Sequence, residues 1–321
     1  MSTASSDLRA LVERIRGLPG VRGKAAIGLV AEVFGRSDFV SGPGDDGAVV
    51  VDDGRTLVVG GEALLPAFVQ RDPRGAGVSA VVTNVNDLAA MGARPLALVD
   101  TVVGPRPALL EMLEGLRWAA ALYDVPVVGG HLTETDGPPS LSAFGLGRAA
   151  AVLSATRAAP GQALLLVACL DGTMRADFPF FRSFEERGEA LAGDVRTLAT
   201  AAEAGLAVAA KDVSMAGIVG SLAMLLEPTR TGVEVDLRVL PTPDGVSLAD
   251  WLCCFPAFAF LITTAAERAD ACAALFEERG LTAVRLVTLD ASGRARLRDA
   301  SGVATVFDLA REGITRLAAA P

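Results

Sequence analysis

The chain is poor in two basic side-chain types. Lys24, Lys211 and His131 are its only lysines and histidine, against 27 arginines in 321 residues. Each lysine is therefore a candidate for a position that needs a compact ammonium rather than a guanidinium fork, with coding bias as the plain alternative. Positive charge as a whole is short. The net charge of −9 argues against a general nucleic-acid binder, since phosphate backbones demand clustered Lys and Arg. It leaves open a small anionic ligand held through metal.

Long apolar runs are missing as well. Hydrophobic residues reach 51%, yet no stretch approaches the ~18 uninterrupted residues of a membrane span. The longest, "ALLLVACL" (163–170), suits a buried strand. The N-terminus lacks a basic head followed by an apolar core, so it does not read as a secretory signal. A soluble cytoplasmic protein is expected. Cys169, Cys253, Cys254 and Cys272 show no C-x-x-C spacing and read as free buried thiols in a reducing compartment.

The length suits one large domain or two medium ones. Helices are expected over 7–17, 23–35, 75–91, 106–123, 194–204, 214–226, 266–279 and 306–317. Strands are expected over 48–52, 56–60, 95–103, 141–149, 163–170, 206–210, 232–237 and 258–263, and in "VPVVGG", "AVRLVTL" and "RARLRD". The Pro/Gly-punctuated stretch 154–162 reads as a boundary, giving domains 1–153 and 154–321. Strict β-α alternation is absent, so α+β layers are expected rather than a doubly wound sheet.

Acids stand where structure alone gives little reason for them. "GPGDDGAVVVDD" (42–53) sets Asp45 and Asp46 side by side between Gly44 and Gly47. One Asp would serve a turn. Two suit Mg²⁺, which takes one or two carboxylates plus phosphate oxygens, and the glycines let backbone approach a phosphate. In "VVTNVNDLAAMGARP", Val78, Val81, Val85 and Leu88 share one helix face at about 100° per residue. Asn84 and Asp87 fall on a second stripe with Ala80 and Met91. No Lys, Arg or Glu follows Arg74 until Arg94, so this stripe reads as a lined site rather than a solvated face. Lys211–Asp212 ends a strand just before Ser214 and a helix of small residues, where anions and their metals gather; a simple N-terminal cap is the plain alternative. Glu62 follows a strand and two glycines. His131 follows Gly129–Gly130 in "VVGGHLTE" and reads equally as a ligand contact or a structural hydrogen-bonder. In "CLDGTMRADFPFFRSF" (169–184), Asp171, Arg175 and Arg182 stand among aromatics; an Arg fork could take a carboxylate or phosphate, or the loop packs on its own phenylalanines.

"GDDGAVV", "NVNDLAAMGARPLALV", "VVGGHLTE" and "KDVSMAGIVG", in this order and spacing, resemble the PurM-like superfamily of aminoimidazole-ribonucleotide (AIR) synthetase. That group includes thiamine-monophosphate kinase, selenophosphate synthetase, the hydrogenase-maturation dehydratase and formylglycinamidine synthetase. The likeness is strongest to an AIR synthase-related subfamily of unassigned activity. It implies an N-terminal α/β domain that pairs with its twin across a barrel-like sheet, so a homodimer, and a C-terminal α+β domain. It implies ATP bridged by Mg²⁺, with Asp45, Asp46, Glu62, Asp87 and Asp212 on the metal. Gly44, Gly47, Asn84, Gly129, Gly130 and His131 would lie on the nucleotide side, and 169–184 in the region of the substrate. Thiamine-monophosphate kinases carry Thr-Thr-Asp where this chain has Gly60-Gly61-Glu62, Gly-Gly-Asp where it has Gly129-Gly130-His131, and Asp-Ile-Ser-Asp-Gly-Leu where it has Asp212 to Gly217. Either fewer Mg²⁺ ions bind or His131 contacts phosphate. The expected activity is ATP- and Mg²⁺-dependent phosphoryl transfer to a small-molecule oxygen, with Lys211, or Lys24, on a phosphate oxygen and Asp212 beside it. A non-catalytic nucleotide-binding partner and a metal-dependent phosphatase stand as alternatives.

Overall fold

The computed structural model describes residues 6–34 and 44–317. Its contacts form two compact units. One comprises Asp46–Val152 and Arg187–Thr200; the other comprises Met1–Asp45, Leu153–Glu186 and Ala201–Pro321. This contact grouping departs from a single cut at 153/154 in two places. The N-terminal 45 residues group with the second half, and 187–200 group with the first. Each exchange has a packing cause. Leu8 and Ile15 of the Ser6–Gly17 helix are buried in one core with Trp251 and Leu222. Arg196 donates to the carbonyls of Tyr123 (3.1 Å) and Asp124 (2.7 Å).

The first unit is a five-stranded sheet. Its strands are β1 (Ala48–Asp52), β2 (Arg55–Ala63), β3 (Arg94–Gly104), β4 (Val127–Glu134) and β5 (Ser140–Ala149), in the order β1-β2-β5-β3-β4. Only β3 and β4 are parallel, joined by the Arg106–Leu122 helix. The Pro73–Ala90 helix starts where Asp72 accepts from Gly75 N (2.8 Å) and Pro73 presets the first turn. It ends at Met91–Gly92, where Gly92 has φ +72°. Both of its stripes are covered: Val81, Val85 and Leu88 are buried, and so are Asn84 and Asp87. The two helices touch backbone to backbone, because a Cβ on Gly77 would lie 2.2 Å from Met112 O.

Along β2, β3 and β5, residues alternate between the face the helices cover and an open face. Val58, Leu98, Val102, Ala143 and Gly145 point to the covered side; Val50, Val59, Val99 and Phe144 are exposed on the other.

The second unit holds three sheets. The largest is antiparallel, ordered β13 (Thr282–Thr288), β6 (Ala163–Ala168), β12 (Ala259–Thr264), β9 (Ala209–Asp212). β6, β9 and β12 are buried throughout. A second sheet runs β10 (Val233–Asp236), β14 (Arg294–Asp299), β15 (Gly302–Asp308). A small third one runs β11 (Phe255–Pro256), β8 (Phe180–Arg182), β7 (Thr173–Met174). The Gly217–Leu226 helix buries all ten residues.

Three local expectations change. The terminal helix over 306–317 is replaced by β15, whose "VATVF" pairs antiparallel with β14; β-branched residues and a partner strand outweigh the helical spacing. The 206–210 strand lies later, at β9, and reaches Lys211–Asp212. The helix over 23–35 is a 3₁₀ turn, Lys24–Ile27, followed by Gly28–Phe34, and residue 35 lies outside the described residues. All four cysteines are buried free thiols, and burial pushes Cys254 up to about 12. Among the described residues no helix is long and apolar enough to cross a membrane.

Candidate functional site

The two vicinal aspartates do different work. Both oxygens of Asp45 are taken: Oδ2 accepts from Ser154 Oγ (2.5 Å) and Oδ1 from Ala155 N (2.8 Å). Burial raises its carboxyl above the ordinary range, and these two hydrogen bonds with the charges of Lys211 and Arg157 pull it partly back. Asp45 thus anchors the Ala155–Arg157 turn rather than presenting an open ligand atom. Asp46 is the acid turned toward the Pro73–Ala90 helix, with carboxylate oxygens of Asp46 and Asp87 within 4.8 Å of each other. Two carboxylates at that spacing repel unless a cation or a proton lies between them, and a shared hard cation fits oxygen donors of this kind.

Asn84 lies one turn before Asp87 and is completely buried. Its Nδ2 donates to Ala80 O (2.8 Å) and Ala143 O (3.2 Å), and its Oδ1 has no partner. Gly145 makes room for it, because a Cβ there would sit 3.4 Å from Asn84 Oδ1 and 2.9 Å from Leu88 Cδ1. Glu62, half-buried, points to the same covered face from β2, paired in register with Ala143. Gly47 is required by packing, since its Cβ would meet Val58 Cγ1 at 2.7 Å; Gly44 has φ +119°.

The register relocates His131. It pairs with Thr101, which alternates away from inward-facing Asp100 and Val102. His131 is therefore exposed on the open face, opposite to Glu62 and Asn84, and Gly129 beside it has nothing near a Cβ position. As a ligand sharing a cleft with those residues within its own unit, His131 is excluded by strand alternation.

Asp100 is the acid that sequence reasoning missed. It is 8% exposed on the covered face, level with Ala143 on one side and Gly130 on the other. A Cβ on Gly130 would stand 2.9 Å from Asp100 Oδ2, so that glycine makes room for the acid. Its signal was an aspartate inside the strand run "LALVDTVV", in phase with the inward Leu98 and Val102. Burial alone raises its carboxyl above the ordinary value. With the folded-state value raised, the folded state favours the protonated acid. Stability is full below the unfolded value and falls as pH rises through the folded one. Asp100→Asn is therefore expected to stabilise the chain at pH 7, with the gain vanishing near pH 3. Urea unfolding at both values checks it; an equal change at both would contradict the assignment.

In the second unit, Lys211 and Asp212 form an ion pair on β9 with 4% and 1% exposure. Asp212 sits opposite Phe260 and Lys211 opposite Leu261 of β12. Lys24 is half-buried in its 3₁₀ turn. Of the three residues singled out in 169–184, Asp171 is exposed. Arg175 closes its fork on Asp177, with Nε and Nη2 each 3.0 Å from a carboxylate oxygen, so it is committed within its own loop. Arg182 donates from Nη2 to Thr173 Oγ1 (3.2 Å).

Comparison with known proteins fits this layout. The model of the AIR synthase related protein N-terminal domain matches residues 44–149, and that of its C-terminal domain matches 162–300. The chain belongs to the AIR synthase related family, within the PurM-like superfamily. It is similar to an uncharacterised Synechocystis protein, 32% identical over 275 residues, which is 85% of each chain. Among solved structures, Thermotoga maritima PurL complexed with ATP superposes with a TM-score of 0.69 at 19% identity, over 86% of this chain and 46% of that one. AaThiL complexed with AMPPCP and TMP superposes at 0.66 and 17%, over 85% and 92%. These two likenesses establish the fold, and this AIR synthase related chain spans under half of that PurL chain.

Proposed function

We propose that the protein is an ATP- and Mg²⁺-dependent phosphoryl-transfer enzyme that activates an oxygen of a small-molecule substrate. The observation that carries this reading is the paired carboxylates of Asp46 and Asp87. The donor set fits Mg²⁺: carboxylate oxygens in a partly buried setting, with no thiol or imidazole beside them on that face. Asp46 and Asp87 would hold the metal. Bound there, Mg²⁺ offsets charge on the nucleotide's phosphate oxygens.

The chain's own residues supply the rest. Asp212 holds the Lys211 ammonium in a fixed place, so Lys211 can meet a phosphate oxygen as charge develops on it, with little reorganisation. Asp45 ties down the loop that carries Asp46 through Ser154 and Ala155. Asn84 sets the helix against β5 at Ala143, which places Asp87 one turn on. ATP bound by solved relatives of this fold supports the nucleotide assignment. Calorimetric titration with ATP, with and without Mg²⁺, tests the proposal. Micromolar binding that requires Mg²⁺ is expected, and affinity that ignores Mg²⁺ would overturn it.

The open face of the five-stranded sheet supports a homodimer. Four strands contribute exposed apolar residues there, Val50, Val59, Phe144 and Val99, and contiguous apolar surface of this kind marks an interface. The expected occupant is the same face of a second copy, whose identical apolar residues would cover these. Phe144→Glu is expected to convert a dimer to a monomer in sedimentation velocity. A wild-type chain that sediments as a monomer at 50 μM, a concentration of about that order being ample for a stable interface, would contradict the assignment.

A further inference from the structure

A cavity of about 310 Å³ opens within the second unit, between the Pro19–Gly23 helix and the chain that follows β15. That volume lies at the small end of the range for ligand sites. Its apolar lining is Val21, Phe307 and Ile314, all of them buried side chains. Its charged lining is Arg16, Arg22, Arg316 and Glu312. Three guanidiniums against one carboxylate leave a local charge of +2, in a chain whose net charge is −9.

These charged groups differ in how far they are committed. Arg16 is used up. Its Nη1 and Nη2 donate to the two oxygens of Glu312 (2.8 and 3.0 Å), and Nη1 also donates to Val306 O (2.5 Å). Its guanidinium lies over the Phe307 ring, 5.4 Å from the centroid. Glu312 in turn accepts from Asp308 N (3.2 Å). Arg16 and Glu312 therefore form a neutral, fixed wall. Arg22 and Arg316 have no carboxylate within ion-pair distance among the described residues. Arg22 folds back toward the same wall, since a Cβ on Gly17 would lie 3.8 Å from its Nη2, at the end of the helix that carries Arg16.

Arg316 is held from its backbone. Its φ of +56° is left-handed, a region that a residue with a Cβ adopts only at a cost. Glu227 pins the turn there: this buried acid accepts from Thr315 N (3.1 Å) and Thr315 Oγ1 (2.9 Å). Two glycines let the turn close. A Cβ on Gly313 would lie 2.5 Å from Glu227 Oε1, and one on Gly28 would lie 2.9 Å from Arg316 Cβ. Strain of this kind is kept where the surrounding structure fixes it and the residue it presents has a use. A solvated arginine would need neither the pinned turn nor the apolar floor.

We infer that this cavity binds a small organic dianion, with Arg22 and Arg316 on its charged end and Val21, Phe307 and Ile314 against its apolar body. Guanidinium forks suit a phosphomonoester or a dicarboxylate alike, and the two share this chemistry. None of the lining residues is among the acids assigned to the metal, so the site stands whether or not the phosphoryl-transfer reading does.

The test uses the full chain in Mg²⁺-free buffer without nucleotide. Phenyl phosphate, phthalate and inorganic phosphate are titrated separately by calorimetry. Phenyl phosphate or phthalate is expected to bind at about 1 mM or tighter, and whichever is tighter identifies the phosphate or the dicarboxylate class. Inorganic phosphate should bind about 10-fold more weakly than that probe, because it leaves the apolar floor unfilled. Arg22→Gln and Arg316→Gln should each weaken the tighter probe by about 10-fold, as loss of a charged hydrogen bond does. Arg316→Gly suits the left-handed backbone, so it should keep the thermal unfolding midpoint and still lose affinity by the same factor. Arg311→Gln, an exposed neighbour outside the cavity, should bind as the wild type does. The inference is overturned if neither aromatic probe binds the wild type, or if inorganic phosphate binds as tightly as they do. It is equally overturned by unchanged binding in the Arg316 variants or by an equal loss in Arg311→Gln.

Discussion

Asp46→Asn is expected to weaken MgATP binding by at least about 100-fold, since even residues one step removed from a metal cost 10- to 100-fold when lost. Its neighbour should behave in the opposite way. Asp45→Ala removes the acceptor for Ser154 Oγ and Ala155 N; Ser154 Oγ keeps Thr156 Oγ1 at 2.7 Å, and Ala155 N is left short of a partner in a half-buried turn. That change is expected to cost roughly 2–4 kcal/mol of stability, with MgATP affinity in the surviving folded fraction reduced far less. Calorimetry and urea unfolding on the two variants separate the effects. If both variants lose affinity equally at equal stability, the division of labour is wrong. The contrast matters because the residues are adjacent and chemically identical. Only the direction each carboxylate takes from the loop distinguishes anchor from ligand.

Lys211→Met is expected to destabilise the chain by about 3–5 kcal/mol, the usual cost of stranding one partner of a buried ion pair. Lys211 and Asp212 are both inside β9, with β12 alongside. Asp212 would keep its charge and lose the Lys211 ammonium. The double variant Lys211→Met/Asp212→Asn removes that charge and should recover most of the loss, measured by thermal or urea unfolding in Mg²⁺-free buffer. A double variant as unstable as the single one would show that the pair is held by packing rather than by charge. In either background phosphoryl transfer should fail, since the ammonium is gone.

The site was partly legible before any coordinates. The acid pair and the N-x-x-D helix pointed to Asp46 and Asp87 through residue type and spacing, and the strand ending in Lys211–Asp212 was visible as a run of small apolar residues. What spacing could not settle was direction. Asp45 and Asp46 look alike in a sequence, and the choice between them rests on Ser154, which lies 109 residues away. His131 stood after two glycines like a ligand, yet its register against Thr101 turns it to the open face. Asp100 sits inside an apolar strand run, and only its phase with Leu98 and Val102 marks it as inward. The fold class was legible from the mixed run of helices and strands together with the family motifs. The grouping of residues 1–45 with the second half was not, because it depends on long-range packing such as Gly20 against the carbonyl of Met215, where a Cβ would stand 2.1 Å away. The misread C-terminal helix has the same origin. "TVFDLAREGITRL" carries apolar residues at helical intervals, and only β14 as a partner makes its first half a strand.

The central claim is that Asp46 and Asp87 share one divalent cation. Crystals grown with Mn²⁺ and a non-hydrolysable ATP analogue test it most directly, through anomalous scattering at the manganese edge. A peak within about 2.5 Å of a carboxylate oxygen of both Asp46 and Asp87, and absent from Asp46→Asn crystals, is the expected result. A peak bound only elsewhere, with these two carboxylates protonated or turned apart, would contradict the account.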